Sequence, residues 1–360
     1  MHARIALLAG DGVGPEVAAE AVKVLTAVGR VAGHRFEFAP ALVGGAAIDA
    51  TGSALPAATR DVVAASDATL LGAVGGPRWN AAPVRPESGL LELRAFMGVY
   101  ANLRPVPLFD AGRRMSPLRA EVLDGVDLVV VRELTGGLYY GDRHRGGDVA
   151  WETCRYSELE VARVVRVAAR LAITRRRKLT SIDKANVLET SRLWRQVTER
   201  VMRDEFPDVT LDHLYVDAAA MFLVREPARF DVLVTENLFG DILSDESSVL
   251  AGSIGLLPSA SLGEAVDGRP PAGLYEPIHG SAPDIAGRGI ANPIGMILST
   301  AMMLRHSFAL DAEARLVEAA VAAALDDGWL TPDVASAERP ARSTADVGSE
   351  IARRIEAGYP

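Results

Sequence analysis

Two aspartates four residues apart are the side chains of this sequence with the clearest potential for chemistry. Asp241 and Asp245 lie in NLFGDILSDESS, so on a helix they project from one face. Carboxylates that point at one spot suit a hard divalent cation, Mg²⁺ or Mn²⁺. We expect a third carboxylate, Asp217, at the end of the predicted strand LDHLYVD. The alternative interpretation of the pair is a solvated acidic helix face.

Three arginines could bind the carboxylates of a small ligand. Arg94 shares a predicted helix face with Leu90 and Leu91, and this combination suits a ligand with one carboxylate and one branched alkyl group. Arg104 in ANLRPVP and Arg132 in VVVRELTGG lie at predicted strand ends or in a loop, so the three could bind a dicarboxylate. Alternatively, the helix face is a core stripe beside an Arg that extends to solvent.

The segment EPIHGSAPDIAGRGIANP, residues 276–293, contains Gly and Ala residues that let a backbone approach a ligand closely. Gly280 and Ser281 offer backbone amides and a hydroxyl to a phosphate. Asp284 can accept hydrogen bonds from a ribose diol and would repel a 2′-phosphate. The alternative is an ordinary surface loop, although structureless loops of this length are more often functional.

A second glycine motif, GDGVGPE at residues 10–16, follows a predicted strand and opens a predicted helix. Its spacing is G-x-G-x-G, and Glu16 stands where the Rossmann fingerprint requires Gly or Ala. The motif therefore does not predict a Rossmann fold.

Lysine is scarce in this chain. Of 38 basic residues only Lys23, Lys178 and Lys184 are lysines, and the other 35 are arginines. Arg stays protonated near neutral pH, whereas a neutral Lys can act as a base. Each Lys is therefore a candidate for chemistry that Arg cannot do, against the alternative that three lysines survived compositional drift.

Composition and element order indicate the class of protein. A chain of 360 residues with a net charge of −9 predicts about two domains and disfavours nucleic acid as a partner. No apolar run is long enough to predict a membrane span, and the single Cys154 suits a reducing, cytoplasmic location. Buried strands alternate with amphipathic helices, which predicts an open α/β sheet. The predicted buried strands are RIALLAG, ATLLGAVGG, VDLVVVRE, LTSIDK, LDHLYVD and FDVLVTEN.

In their order along the chain, these motifs resemble those of the 3-isopropylmalate dehydrogenases, a branch of the β-decarboxylating dehydrogenases. The likeness runs from about residue 4 to residue 307. It is carried by the motifs GDGVGPE, GAVGGPRW, PESGLLELR, ANLRP, RELTGGLYYG, DKANVLETSRLWR, YVD, NLFGDILSDE and EPIHGSAPDIAGRGIANP.

The resemblance implies a two-domain α/β subunit with a large open mixed sheet that is not of the Rossmann type. A discontinuous cofactor-binding domain would comprise residues 1–99 and 252–360. Residues 100–251 would form a dimerisation and substrate domain with a hairpin arm at about 133–157. The family forms homodimers whose active sites take residues from both subunits.

The resemblance also implies a role for each matching residue. Tyr139 and Lys184 match the catalytic acid–base pair, with Lys184 acting across the dimer. The substrate-binding positions are Arg94, Arg104, Arg132, Asp217, Leu90, Leu91 and Val187. The NAD-binding positions are Gly75, Gly76, Glu87, Gly280, Ser281, Ala282, Pro283, Asp284, Ile285 and Asn292. The ligands of Mg²⁺ or Mn²⁺ are Asp217, Asp241 and Asp245.

The implied activity is the oxidative decarboxylation of (2R,3S)-3-isopropylmalate to 4-methyl-2-oxopentanoate with reduction of NAD⁺, a reaction of leucine biosynthesis. The pair Asp284–Ile285 matches the NAD-dependent type. Glu236 departs from the family, where many members have Gly. The alternatives are homoisocitrate, malate, tartrate or another alkyl-malate as substrate, a Mg²⁺-dependent phosphoryl-transfer or hydrolase site, and a non-catalytic binding relative.

Overall fold

The structure is a computed structural model that describes residues 1–265 and 273–358. The strands are β1 (His2–Gly10), β2 (Arg35–Pro40), β3 (Ala68–Ala73), β4 (Ala101–Val106), β5 (Leu128–Glu133), β6 (Arg143–Gly146), β7 (Val149–Glu152), β8 (Lys178–Asp183), β9 (Thr210–Tyr215), β10 (Val232–Thr235), β11 (Pro258–Leu262) and β12 (Gly273–Pro277). The α-helices are α1 (Gly14–Ala32), α2 (Gly44–Thr51), α3 (Ala57–Ala64), α4 (Pro86–Met97), α5 (Asp110–Met115), α6 (Ala120–Leu123), α7 (Glu158–Ile173), α8 (Glu189–Glu205), α9 (Val216–Arg225), α10 (Asn237–Ala251), α11 (Ile294–His306), α12 (Asp311–Asp326) and α13 (Thr344–Glu356).

The chain divides into two compact units. Unit 1 contains residues 1–99, residues 109–115 and the described residues from 251 onward, and unit 2 contains residues 100–108 and 116–250. The expected second domain, 100–251, differs from unit 2 at Ala251 and at residues 109–115, all of which belong to unit 1. Residues 109–115 do so because α5 packs against α12.

Unit 1 has a mixed run of strands in the order β2-β1-β3-β12-β11. β1 is parallel to both of its neighbours, β12 is parallel to β3, and β11 is antiparallel to β12. Every residue of the central strand β3 is buried. The helix α11 is buried along Ile294–Leu304, and α1 packs against both α11 and α13. A helix that is apolar on all sides is typical of such an interior position.

Unit 2 has a second mixed run, in the order β4-β5-β10-β8-β9, in which only the β4–β5 pair is antiparallel. The helix α7 begins with a capping box between Ser157 and Glu160, which satisfies exposed N–H groups of its first turn. The buried indole of Trp194 on α8 donates to Ser181 of β8 at 3.2 Å. This hydrogen bond removes the cost of burying the indole N–H.

The six predicted strands are confirmed as strands, but the prediction that LDHLYVD is buried was wrong. Its residues in β9 are exposed or partly exposed because β9 is the last strand of the run and pairs only with β8. A hairpin lies within the arm expected at about 133–157: β6 and β7, in residues 143–152, pair antiparallel, and all eight of their residues are exposed.

Two further sequence predictions concern loops and membranes. The Gly and Pro residues of GEAVDGRPPAG, residues 263–273, predict a loop, and this segment lies mostly outside the described residues. Within residues 1–265 and 273–358, no helix combines the length and the apolar character needed to cross a bilayer.

The contact between α1 and α13 gives a stability prediction. Ile351 of α13 is completely buried, so Ile351→Ala should leave a cavity and lower the free energy of unfolding by about 2–4 kcal/mol. Ile173→Ala is the matched control, because this isoleucine is 43% exposed at the end of α7. Urea unfolding followed by circular dichroism measures both variants, and equal losses would contradict the packing described for α13.

Candidate active site

Strand register brings the first cluster of predicted site residues together in unit 2. Arg132 is the next-to-last residue of β5, and it pairs with Asn102 on β4 and with Thr235 on β10. The chain enters α10 two residues after Thr235, so the first turn of this helix starts beside Arg132. Asp241 and Asp245 follow on the same helix.

The guanidinium of Arg132 is only 2% exposed and is held by α10. Its Nε and Nη2 donate to Oδ1 of Asn237 at 2.9 and 2.7 Å, and its Nη1 donates to Oδ1 of Asp241. Burial of a charged group is costly unless the group is paired and hydrogen-bonded. These contacts therefore fix both the arginine and the start of the helix.

Arg104 reaches the next turn of α10. Its Nε donates to Oδ1 of Asn102 at 2.7 Å, and its Nη1 donates to Oγ of Ser244 at 2.6 Å. The same Nη1 lies 3.5 Å from Oδ1 of Asp245 and 3.7 Å from Oδ1 of Asp241. Desolvation raises the pKa of the Asp245 carboxyl in spite of the opposing charge of Arg104.

Tyr139 joins this cluster from a short 3₁₀ turn, Gly137–Tyr139, that follows β5. Its hydroxyl donates to Oδ2 of Asp241 at 2.8 Å, and the Cζ of Arg132 lies 5.6 Å from the centre of its ring. Desolvation and then the hydrogen bond to Asp241 raise the pKa of Tyr139 to about 12. The phenol therefore keeps its proton at neutral pH and can act as an acid.

Lys184 and Asp217 form a separate pair in unit 2. The Lys184 ammonium contacts the Asp217 carboxylate, whose side chain is 67% exposed, and this hydrogen bond lowers the pKa of Asp217. The predicted position of Asp217 at a strand end was wrong: it lies in the first turn of α9, because β9 stops at Tyr215. Val187, three residues beyond Lys184, is 63% exposed.

The described residues of this single chain contain no group of three or more His, Cys, Asp or Glu side chains arranged to hold a metal ion. Asp241 and Asp245 lie together on α10, whereas Asp217 pairs with Lys184. Two of the three predicted ligands thus share a site within one chain.

Unit 1 brings predicted nucleotide-binding residues together. A Cβ atom placed on Gly75 would lie 2.9 Å from Oε1 of Glu87 and 3.9 Å from Oγ of Ser281. Both predicted segments, one after β3 and one after β12, therefore meet at this point.

Two further predicted residues of unit 1 differ in exposure. Asp284 is exposed, whereas Asn292 is buried, donates a hydrogen bond to Asp333 and accepts one from the N–H of Ile294. The remaining predicted positions of these two loops are Gly76, Gly280, Ala282, Pro283 and Ile285.

Arg94 also lies in unit 1, on α4. It is buried, and its Nη2 donates to Oε1 of Glu276 at 2.8 Å. Leu90 and Leu91 on the same helix are partly exposed, as side chains that contact a ligand must be. Of the three predicted clamp arginines, Arg104 and Arg132 share one cluster in unit 2, and Arg94 belongs to unit 1.

Sequence reasoning missed Asn237 as a site residue. Its Oδ1 accepts from Arg132, and its Nδ2 donates to the backbone oxygens of Leu134 and Gly136 at 3.2 and 3.0 Å. Asn237 thus connects Arg132 to the loop that carries Tyr139. The available signal was its position, four residues before Asp241 and on the same helix face.

Glu236 is a buried acid immediately before α10. Its carboxylate accepts from the N–H of Phe239 at 2.7 Å and from the hydroxyl of Tyr156 at 3.3 Å. Burial nevertheless raises the pKa of Glu236 above its usual value. The folded chain therefore holds this proton more tightly than the unfolded chain does.

The chain is similar to proteins of one dehydrogenase family over nearly its whole length. The family model described as isocitrate/isopropylmalate dehydrogenase matches residues 4–351. A 3-isopropylmalate dehydrogenase of Moorella thermoacetica is 55% identical over 99% of both chains, and one of Halalkalibacterium halodurans is 52% identical over 99% of both chains. The crystal structure of isocitrate dehydrogenase from Methylococcus capsulatus superposes with a TM-score of 0.87 at 37% identity, over 99% of this chain and 100% of that one. The predicted mixed α/β fold of this family is confirmed.

Glu236 gives a pH-dependent prediction. Between the unfolded pKa and the raised folded pKa the unfolded chain binds fewer protons, so stability falls as the pH rises. Glu236→Gln removes this loss of stability, because glutamine does not titrate. Its carbonyl oxygen can still accept the hydrogen bond from the N–H of Phe239. The variant should therefore gain stability over the native chain as the pH rises from about 5 to about 8. Urea unfolding midpoints at both pH values test this, and the exposed Glu121→Gln is the control. A difference between the midpoints of Glu236→Gln and the native chain that does not change with pH would contradict the prediction.

Proposed function

Because the chain belongs to the isocitrate/isopropylmalate dehydrogenase family, we propose that it oxidises and decarboxylates 3-isopropylmalate to 4-methyl-2-oxopentanoate with NAD⁺ as oxidant, as in leucine biosynthesis. The observation that carries the proposal is the cluster in unit 2. There a protonated phenol, Tyr139, and the buried guanidinium of Arg132 both contact the carboxylate of Asp241. This combination supplies an acid, a carboxylate-binding group and a cation ligand at one point.

Substrate binding uses charge and shape. Arg94, Arg104 and Arg132 bind the two carboxylates, since bidentate guanidinium–carboxylate pairs are strong and directional. Leu90 and Leu91 present partly exposed apolar side chains to the isopropyl group, with Val187 as the third apolar contact. Isocitrate would place a third carboxylate against this apolar helix face, which disfavours it. Homoisocitrate and tartrate are disfavoured for the same reason, as they carry polar groups there.

The residues present fit a divalent cation and a dinucleotide. Asp241 and Asp245 offer carboxylate oxygens, the donors that Mg²⁺ and Mn²⁺ prefer, and Asp217 of a second copy of the chain completes the set. Gly75, Glu87 and Ser281 lie side by side where the two loops that would hold NAD⁺ meet, and the acidic Asp284 favours a ribose diol over a 2′-phosphate. When bound, the cation stabilises negative charge on the C2 oxygen of the substrate, and NAD⁺ accepts the hydride from C2.

The protein side chains move the protons. Lys184, from a second copy of the chain and in its neutral amine form, accepts the proton of the C2 hydroxyl while the arginines hold the carboxylates in place. The C3 carboxylate then leaves as carbon dioxide, and the electron pair of the broken C–C bond passes to the C2 oxygen as an enolate. Tyr139 donates its proton to C3 of that enolate and gives the ketone, and the guanidinium of Arg132 beside its ring favours the phenolate that remains.

Two exposed apolar helix faces support a homodimer. Met221 and Val224 of α9 are each 44% exposed, and Ile242 and Val249 of α10 are 58% and 41% exposed. Exposed apolar side chains on neighbouring turns of two helices are typical of a protein–protein contact. A second copy on these faces would supply Lys184 and Asp217. We place the protein in the cytoplasm, where a free Cys154 stays reduced.

A steady-state assay tests the activity. With Mn²⁺ and NAD⁺, the protein should form NADH from 3-isopropylmalate with a kcat/KM at least about tenfold above that for homoisocitrate, tartrate or malate. Lys184→Met should lower kcat by about 100-fold or more, because the base is lost. Lys23→Met is the matched control, since Lys23 pairs with Glu20 far along the chain from these residues.

Three outcomes would contradict the proposal. Normal turnover by Lys184→Met would mean that another group is the base. A higher kcat/KM for one of the other acids would change the substrate. No NADH from any of these acids would favour a non-catalytic relative.

The dimer has its own test. Val249→Asp places a charge on the exposed face of α10 and should convert the protein to a monomer, measured by light scattering. Activity should fall with it, because each site would lose Lys184 and Asp217. Ile173→Asp, on α7, is the control for an added surface charge. A monomeric variant with full activity would show that the sites are not shared.

A further inference from the structure

The turn GDGVGPE takes no part in the chemistry proposed above, yet both of its acidic side chains contact nucleotide-binding segments of unit 1. The turn lies between β1 and α1, at the carboxyl end of a central parallel strand. Ligands of open α/β sheets bind at this end of the strands. Each acidic residue uses both carboxylate oxygens to accept backbone N–H groups from elsewhere in unit 1.

Asp11 holds the chain that follows β3. Its side chain is buried, with 5% exposure, and its Oδ2 accepts from the N–H of Gly75 at 2.9 Å and of Gly45 at 2.8 Å. Its Oδ1 accepts from the N–H of Ala46 at 2.7 Å. The N–H of Asp11 itself donates to the oxygen of Ala73 at 2.8 Å. Asp11 therefore fixes the start of the loop that runs from Gly75 to Glu87.

Glu16 holds the other loop. Its Oε1 accepts from the N–H of Gly287, and its Oε2 accepts from the N–H of Gly289 at 3.0 Å. These glycines lie two and four residues beyond Ile285, which follows Asp284. Glu16 is the residue that disqualifies the motif as a Rossmann fingerprint, because a side chain stands where that fingerprint needs none.

The backbone between the two acids completes the contact. The N–H of Val13 donates to the oxygen of Ser281 at 2.8 Å, and a Cβ atom on Gly12 would lie 1.9 Å from that same oxygen. Only glycine allows the turn to come this close to Ser281. One seven-residue turn thus contacts both loops.

We propose that Asp11 and Glu16 are positioning residues for the nucleotide: Asp11 sets the Gly75 loop, and Glu16 sets the 287–289 turn and through it Asp284. This inference rests on the proposed NAD site. Because each carboxylate accepts with both oxygens, an amide in its place would direct an N–H₂ donor at a backbone N–H. Asp11→Asn and Glu16→Gln therefore lose contacts although they barely change side-chain size.

The experiment compares native protein, Asp11→Asn, Glu16→Gln and a control, Asp67→Asn. Asp67 is also an aspartate of unit 1 that accepts a backbone N–H, that of Arg4 at 2.8 Å, but at the amino end of β1. Dissociation constants for NADH come from fluorescence titration without substrate, and kcat/KM is measured with NAD⁺ and with NADP⁺.

We expect Glu16→Gln to raise the dissociation constant for NADH about tenfold and to reduce the preference for NAD⁺ over NADP⁺, because Asp284 moves. Asp11→Asn should weaken the binding of both nucleotides by the same factor, because the loop that Asp11 holds does not carry Asp284. In both variants KM for 3-isopropylmalate should change less than about twofold, and Asp67→Asn should match the native protein. Thermal unfolding shows whether each variant is folded. If Asp11→Asn does not fold, Glu16→Gln alone tests the inference.

A folded Glu16→Gln variant with native NADH affinity and native nucleotide preference would overturn the inference. Equal weakening in Asp67→Asn would also overturn it, because a general loss of stability would then explain the effect. If the native protein neither binds NADH nor oxidises 3-isopropylmalate, the proposed function fails instead, and this result is distinct from the other two.

Discussion

The buried positive charge of Arg132 is the constraint on which the unit 2 cluster depends. A guanidinium with 2% exposure needs hydrogen-bond acceptors, and α10 accepts three of its hydrogen bonds, two at Asn237 and one at Asp241. The strand register that puts Arg132 opposite Thr235 therefore also sets where α10 begins. The same Asp241 accepts from Tyr139, so the charge that stabilises the fold also organises the acid.

In unit 1, two negatively charged side chains organise the structure as the positive charge of Arg132 does in unit 2. Two carboxylates, those of Asp11 and Glu16, are satisfied by backbone N–H groups rather than by arginines. Hydrogen bonds of this kind fix loops without adding a counter-charge to the site. The face that we propose for the nucleotide is then made of backbone and small side chains, with the acid of Asp284 exposed.

Local patterns in the sequence were sufficient for much of the architecture. Short apolar runs between amphipathic stretches predicted the strands β1, β3, β5, β8 and β10. The four-residue spacing predicted that Asp241 and Asp245 lie on one helix. The edge position of β9 is set by the strand order and is not local: Leu211, Leu214 and Tyr215 favour a buried strand, whereas Asp212 and His213 between them do not. For Asp217 the chain turns into α9 one residue before the aspartate, and no cap residue marks that start. Asn237 was missed because its role consists of contacts to β5 and to the following loop, which only tertiary structure creates.

The strand order of unit 1 also affects how the chain can fold during its synthesis. β12 lies between β3 and β11, but it follows β3 in the sequence by nearly two hundred residues. A ribosome therefore releases all of unit 2 before β3 receives its second neighbour, β12. Unit 2, apart from the inserted residues 109–115, is nearly continuous, so it can fold before the C-terminal part of unit 1 is synthesised. During that interval β3 has an unpaired apolar edge, and an edge of this kind is where nascent chains associate wrongly.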